Sequence, residues 1–277
     1  MEMTFCPLFS GSSGNSLYVA SARTRLLIDA GLPGKTVVDA LTQIGVNPAS
    51  LSAILITHEH SDHVRGAGVL SRKFDIPIYA TPGTWYAMER SIGPVNQRNR
   101  REFYPNMDFF VEEIGVTPFL IPHDAAEPVG YRLHHGTFSV ATATDMGIMR
   151  KNVLEQLAGV DLLLLESNHD PDMLRQNPHY SQTLKKRILG NKGHLSNESC
   201  AEAVLALCGT GVRHVVLGHL SGENNLPELA YSTTYRVLSD AGLVCGQDVT
   251  VDMAWRDRVG NVYVIRDGRM ELTQCCV

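Results

Sequence analysis

Thr57-His58-Glu59-His60-Ser61-Asp62-His63 decides the reading of this chain. Four strong metal ligands, His58, His60, Asp62 and His63, stand within six residues. Leu51–Ile56 lies just ahead of them, apolar and rich in branched side chains, and reads as a buried strand. Side chains alternate along a strand, so His58 and His60 can leave its end in one direction. A turn into a helix then brings Asp62 and His63 back from the other side. Imidazole and carboxylate suit zinc, manganese or iron. The run holds more ligands than one ion needs, which points to two ions side by side.

The rest of the composition is that of an ordinary globular enzyme. The chain has 277 residues, of which 44% are hydrophobic and 19% charged, enough to bury a sizeable core. No apolar run is long enough to span a membrane, so no membrane partner is expected. Met1-Glu2-Met3-Thr4-Phe5-Cys6 lacks the basic and apolar regions of a secretory signal. Cys6, Cys200, Cys208, Cys245, Cys275 and Cys276 show no paired spacing and read as reduced thiols of a cytoplasmic protein, with Cys275-Cys276 exposed at the tail. A net charge of −5 argues against coating nucleic acid non-specifically. It leaves room for gripping phosphate locally, where bound metals add positive charge.

Strands and helices alternate. Strands are expected at Phe5–Phe9, Ser16–Ala20, Arg25–Ile28, Leu51–Ile56, Ile76–Ala80, Asp108–Val111, Gly115–Pro118, Gly130–His134 and Phe138–Thr142. Further strands are expected at Leu162–Leu165, His214–Gly218, Val249–Val251 and Val262–Ile265. Helices are expected near Gly34–Ile44, Val64–Phe74, Thr84–Arg90, Lys151–Leu157, Ser181–Ile188, Asn197–Leu207 and Leu226–Ala241, with 91–107 irregular. The architecture that fits is α/β, an αββα sandwich of two mixed β-sheets between helix layers, built as a single domain over 1–277.

Three more ligand-type residues follow apolar strands: His123 after Phe119–Pro122, Asp145 after Phe138–Thr142, and His219 after Val215–Gly218. Strand ends are where sheet enzymes keep their chemistry, on loops held by a rigid scaffold. Imidazoles plus a carboxylate leave net positive charge on bound ions, which lowers the pKa of water and makes a nucleophile at neutral pH. Ser12, Ser13 and Asn15 lie in a small-residue turn whose amides and hydroxyls can approach a phosphate.

In this order, Asp29 in Leu27–Gly31, the His58–His63 run, His123, Asp145 and His219, the chain resembles the metallo-β-lactamase superfamily. The resemblance implies one ion held by His58, His60 and His123 and a second by Asp62, His63 and His219. Asp145 and a hydroxide nucleophile would bridge the two. It implies that Asp29 orients ligands through hydrogen bonds. His60 stands where the flavo-di-iron relatives carry glutamate, and Asp145 where antibiotic-hydrolysing relatives carry cysteine. Neither of those activities is expected.

Glu166 and His194 stand in the order that superfamily nucleases such as ribonuclease Z use for a proton-donating pair. A general acid suits a reaction in which an alkoxide leaves. The Leu8–Ser16 turn, the Thr57–Gly66 run and His219-Leu220-Ser221-Gly222-Glu223-Asn224-Asn225 resemble the YycJ/WalJ group, regarded as bacterial cytoplasmic 5′-to-3′ DNA exonucleases linked to DNA repair. The resemblance implies a metal-dependent phosphodiesterase with nucleic acid, DNA first, as partner. Asp62, Glu166 and His194 are then the catalytic residues and two divalent ions (zinc, manganese or iron) the cofactor. The stretch between Asp145 and His219 is too short for a β-CASP insertion. Two basic stretches remain as substrate contacts or as plain solvated surface: Arg90, Arg98, Arg100 and Arg101 near Tyr86, Phe103 and Tyr104, and Lys185, Lys186, Arg187 and Lys192. A thioesterase of the glyoxalase II kind, a cyclic-phosphate diesterase, a ribonuclease and a non-catalytic binding module stay open as alternatives.

Overall fold

The short apolar runs of the sequence become strands, and the amphipathic stretches between them become helices. The computed structural model describes residues 1–266 and 269–273, so Cys275-Cys276 lies outside the described residues. In chain order the first elements are β1 (Glu2–Phe9), β2 (Ser16–Ala20), β3 (Arg25–Ile28), α1 (Gly34–Gln43), β4 (Ala53–Leu55), α2 (Ser61–Val64) and α3 (Ala67–Phe74). Next come β5 (Ile78–Ala80), α4 (Pro82–Ile92), β6 (Arg100–Glu102), β7 (Phe109–Val111), β8 (Ile114–Leu120), β9 (Val129–His135) and β10 (Phe138–Ala143). The chain continues through α5 (Lys151–Leu157), β11 (Leu162–Glu166), α6 (Pro171–Gln176), α7 (Gln182–Ile188), α8 (Asn197–Cys208) and β12 (His214–Gly218). The last elements are α9 (Pro227–Asp240), β13 (Thr250–Met253), β14 (Val262–Arg266) and β15 (Arg269–Thr273). Among the described residues no helix is long and apolar enough to cross a membrane.

The chain gathers into two compact units. The first comprises Met1–Leu120, Ala125–Phe138 and the chain from Ala254. Its main sheet runs β15-β14-β1-β2-β3-β4-β5-β6. The β15-to-β3 half is antiparallel and the β3-to-β6 half parallel. The meander β7-β8-β9 is antiparallel. Leu8, Leu27, Leu41, Ile54, Trp85 and Met88 join one buried cluster in this unit. The second unit comprises Ile121–Asp124 and Ser139–Met253. Here β10-β11-β12-β13 are parallel neighbours. Parallel strands need crossover connections, which α5 to α9 supply. β11 has no exposed residue, as its continuous Leu162–Leu165 run requires.

Parallel strands set their carboxyl ends side by side, and these ends carry the ligand-type residues. Asp29 follows β3 and His58 follows β4, its parallel neighbour. Asp145 follows β10, Glu166 ends β11 and His219 follows β12. Asp29 (φ 60°), Asp145 (φ 61°) and His219 (φ 55°) all adopt left-handed backbone, which turns the chain sharply out of the sheet.

Several expectations change. The helix expected over Val64–Phe74 is two helices, α2 and α3. Gly66 interrupts them: its N–H donates to the Ala30 carbonyl at 2.7 Å, and a Cβ there would lie 2.4 Å from the Leu32 carbonyl oxygen. Within 91–107, expected irregular, α4 runs on to Ile92 and Arg100–Glu102 forms β6 on β5. That strand is charged because it is an edge, where charge discourages further pairing. The short helix α6 went unforeseen although its start signal is plain. Asp170 accepts from the amides of Asp172 and Met173, and Pro171 opens the first turn. β15 was also unforeseen; it adds to the sheet by pairing with β14.

Gly31 joins three loops of the first unit. It donates to the Asn15 carbonyl at 2.8 Å, while the Asn15 amide donates to the Asp62 carbonyl at 2.8 Å. A Cβ on Gly31 would stand 1.6 Å from the Asp62 carbonyl oxygen. Gly31→Ala must therefore displace the Asp62 backbone and should destabilise the protein by about 2 kcal/mol or more, the upper range for overpacking. Thermal melting measures this, and a variant melting with the parent would show that the 62–63 segment yields freely.

Candidate metal centre

In the first unit the ligand run is held from below by one carboxylate. Asp29 Oδ1 accepts the Thr57 amide at 2.9 Å, and Oδ2 accepts the Thr57 hydroxyl at 2.8 Å. The His63 Nδ1–H donates to the same Oδ2 at 2.7 Å. Burial pushes the Asp29 carboxyl up, against the opposing pull of His63 and Thr57. Thr57 Oγ1 gives its proton to Asp29, so it accepts from His58 Nδ1 at 3.0 Å. Both rings thus use Nδ1 for support and keep Nε2 as the ligand atom, the usual arrangement for metal-binding histidines. The His58 ring centroid lies 4.6 Å from that of His60 and 4.1 Å from that of His63. Asp62 Oδ2 is 3.7 Å from His63 Nε2. Glu59 stands apart as a structural residue, accepting the Ala126 amide at 2.8 Å.

The proposed phosphate turn divides. Ser12 and Ser13 are exposed. Asn15 is 4% exposed, and its side chain is exchanged with the Gly11 backbone in both directions. Its Nδ2 also lies 3.0 Å from His63 Nε2. The structure thus draws Asn15 into the ligand cluster and leaves the two serines facing solvent.

In the second unit Asp145 Oδ1 lies 3.2 Å from His219 Nε2, 3.8 Å from His194 Nδ1 and 3.9 Å from His123 Nε2. Ligand atoms of Asp145, Glu166, His194 and His219 all fall within 4.8 Å of one another. His123 Nδ1 lies 3.2 Å from the Lys192 carbonyl, which fixes the tautomer and leaves Nε2 toward Asp145. Burial holds the His123 ring below the usual histidine range, against the pull of Asp145. A neutral ring is the form that ligates a metal. Each unit therefore offers imidazoles and carboxylates, with supporting bonds made at His58, His63 and His123, and donor sets of this chemistry fit divalent ions.

Glu166 is fully buried and makes three bonds. Oε2 accepts the Met146 amide at 2.8 Å and the Leu195 amide at 3.2 Å, and Oε1 is 2.7 Å from His194 Nδ1. One carboxylate thereby sets both the His194 ring and the turn just past Asp145. Gly147 lets that turn close, since a Cβ there would stand 2.1 Å from the Gly190 carbonyl oxygen. The side chain of His194 is 23% exposed while Glu166 is not exposed at all, so the imidazole is the member of the pair that solvent reaches.

Sequence reasoning passed over His169, three residues after Glu166. It is 1% exposed, and neither ring nitrogen has a hydrogen-bond partner. Burial lowers its pKa to about 4. Nothing local signals this, because the burial comes from distant segments. Half of the residues in the two basic stretches are committed to partners. Arg98 pairs with Asp75 at 2.5 Å, and Arg100 pairs with Glu89 at 3.1 Å and lies over the Trp85 ring. Lys185 is buried, its Nζ donating to the Arg175 carbonyl at 2.6 Å, and Arg187 pairs with Asp124 at 2.5 Å.

Comparison with known proteins follows the same lines. A model of the β-lactamase superfamily domain matches residues 24–220. Exodeoxyribonuclease WalJ of Streptococcus pneumoniae is 42% identical over 246 residues, 88% of this chain and 91% of that protein. Exodeoxyribonuclease YycJ of Bacillus anthracis is 40% identical over 247 residues, 89% of this chain and 93% of that protein. Among solved structures, the metallo-β-lactamase fold protein YhfI of Bacillus subtilis aligns with a TM-score of 0.70 at 18% identity, covering 95% of this chain and 99% of that one.

Asp29→Asn keeps an acceptor for the Thr57 amide but sets an amide N–H2 against His63 Nδ1, forcing the ring into its other tautomer. Affinity for a divalent ion should fall about 10–100-fold, as when other supporting partners are lost, with the far-UV spectrum unchanged. Titration against a chelating dye reads the change. His169 yields a pH prediction. Its folded-state pKa is depressed, so the unfolded chain binds the extra proton between about pH 6.5 and 4, and stability falls as pH drops through that window. The full effect is roughly 3 kcal/mol. Denaturation of His169→Gln across that range should show a shallower acid limb than the parent; parallel curves would remove His169 from the acid response.

Proposed function

We propose that this chain, which belongs to the metallo-β-lactamase superfamily and is a metal-dependent hydrolase, is a 5′-to-3′ DNA exonuclease working in DNA repair. Its fold class, αββα with two mixed sheets and helices around them, is that of its structural neighbours. DNA as substrate is supported by relatives alike over some nine-tenths of their length that are named exodeoxyribonucleases. Polarity and repair rest on the resemblance of the Thr57–Gly66 and His219–Asn225 runs to the YycJ/WalJ group. A cytoplasmic location completes the reading; the free thiols of Cys6, Cys200, Cys208 and Cys245 support it.

The observation that carries the reaction type is the 2.7 Å contact between Glu166 and His194 beside Asp145 and His219. A thioester needs no strong acid for its leaving thiolate, whereas a phosphodiester expels an alkoxide that must be protonated. The reading assigns His58, His60 and His123 to one ion and Asp62, His63 and His219 to a second, with Asp145 shared. Zinc, manganese or iron would serve. Bound there, the ions supply an acidified water and positive charge against the phosphoryl oxygens. The chain's own residues do the rest. Asp29 and Thr57 hold the rings of His58 and His63 in their ligating tautomer. Glu166 holds His194 by Nδ1, so that Nε2 delivers the proton to the leaving oxygen. Ser12 and Ser13, exposed on their turn, contact the phosphate.

The test is a panel of 5′- and 3′-labelled DNA and RNA with manganese, zinc or magnesium, run beside S-lactoylglutathione. The expected result is stepwise loss from the 5′ end of DNA. Thioester turnover with DNA left intact would make the chain a glyoxalase-type hydrolase instead. Asp62→Ala should abolish metal-dependent cleavage and leave the far-UV spectrum unchanged. His194→Ala should lower kcat by about 10²–10⁴, and the loss should shrink on a substrate with a better leaving group. A loss equal across leaving groups would move His194 from proton transfer to binding.

A further inference from the structure

The Ser221–Asn225 end of the run that follows β12 lies outside the proposed chemistry, yet it is among the most tightly bonded parts of the second unit. Asn225 Nδ2 donates to the Ser167 carbonyl at 2.8 Å, the Asn168 carbonyl at 3.0 Å and Asn197 Oδ1 at 2.9 Å. The Ser167 hydroxyl donates to Asn197 Oδ1 at 2.7 Å. Asn224 accepts the Asp170 amide on its carbonyl at 2.8 Å and Asn177 Nδ2 on its side-chain oxygen at 2.7 Å. Ser167, Asn168, Asn177, Asn197, Asn224 and Asn225 are all buried. A buried polar network that is satisfied throughout is rigid, because every displacement strands a donor or an acceptor.

Asn168 is where this network meets the ligands. Its amide N–H donates to the Leu195 carbonyl at 3.0 Å, next to His194, and its carbonyl accepts the Ser221 amide at 2.8 Å. Its side-chain Nδ2 donates to the His219 carbonyl at 2.9 Å. His219 sits at φ 55°, a backbone conformation that a residue with a side chain rarely adopts. In that conformation the carbonyl leaves the β-ladder and needs a donor from elsewhere. The Asn168 side-chain amide supplies such a donor.

We propose that Asn168 is the positioning residue for His219: its side-chain amide pins the carbonyl of the left-handed turn and so sets the direction of the imidazole. The proposal rests on His219 being a metal ligand, as assigned above. It also gives a reason for an amide at 168. An aspartate of the same shape would present a lone pair to the His219 carbonyl and repel it. Asn225 acts one step back, fastening the 167–168 backbone, and Asn224 fastens the Asp170 amide just beyond it.

Titration of the purified protein with Mn²⁺ and with Zn²⁺, read by a competing chelator dye, tests this. The parent should bind two ions. Asn168→Ala and Asn168→Asp should bind one of them about 10–100-fold more weakly, with the other unchanged. Their kcat on DNA should fall with the lost occupancy and return at high Mn²⁺, while KM holds. Asn177→Ala, at the far end of the network, should lower the melting temperature and keep both affinities. Either Asn168 variant folded with both affinities intact overturns the proposal, and so does an Asn177→Ala protein that loses the same ion equally. In the unaltered protein the Asn168 side-chain amide resonances should move as the His219 ion binds. Resonances that stay still overturn the proposal even where the variants do not fold. A parent that binds no ion overturns the metal assignment itself, a separate result.

Discussion

A carboxylate that water barely reaches must be bonded on every side, and Asp29 meets that demand with the residues that matter most. Its partners are the Thr57 amide, the Thr57 hydroxyl and the His63 ring. Removing such a charge from water is costly, and only charge-assisted hydrogen bonds to the ionised form offset it. The ligand run is thereby tied at its first residue and its last to the end of β3. The second unit repeats the device with Glu166, whose partners are the amides of Met146 and Leu195 and the His194 ring. In each unit one buried carboxylate orients one imidazole and fastens the loop that carries it.

The second constraint is backbone strain at strand ends. Asp29, Asp145 and His219 each stand in left-handed conformation at the exit of a parallel strand. Such residues persist only where the surroundings over-determine them. Asp29 is held by its own carboxylate bonds, Asp145 by the turn that Glu166 and Gly147 close, and His219 by Asn168. Strain, burial and ligand chemistry coincide at these positions because a sharp exit from the sheet keeps the side chain at the strand's mouth.

Charge is used sparingly elsewhere. Arg98, Arg100, Lys185 and Arg187 are spent on carboxylates and carbonyls of their own unit. This agrees with a net charge of −5, which gives no broad cationic surface. On the proposed function, a nucleic acid strand would be gripped at few points, with bound ions supplying much of the attraction. His194 is partly exposed above a buried partner that fixes its orientation from beneath, the placement the proposed proton donor needs.

The sequence by itself determined the ligand types, the strands that deliver them and the order of Glu166 and His194, because ligand chemistry and hydrophobic period are local properties. It also carried signals that were readable but unread, such as Asp170-Pro171 at the start of α6. Only the tertiary structure decided the break at Gly66, the edge strand at Arg100–Glu102, the burial of Asn15 against His63 and the bond from Asn168 to His219. Asn15 and His63 are 48 residues apart, and Asn168 and His219 are 51. No periodicity spans such distances; strand register and the demand that every buried polar group find a partner select these pairs, and both exist only once the chain has folded.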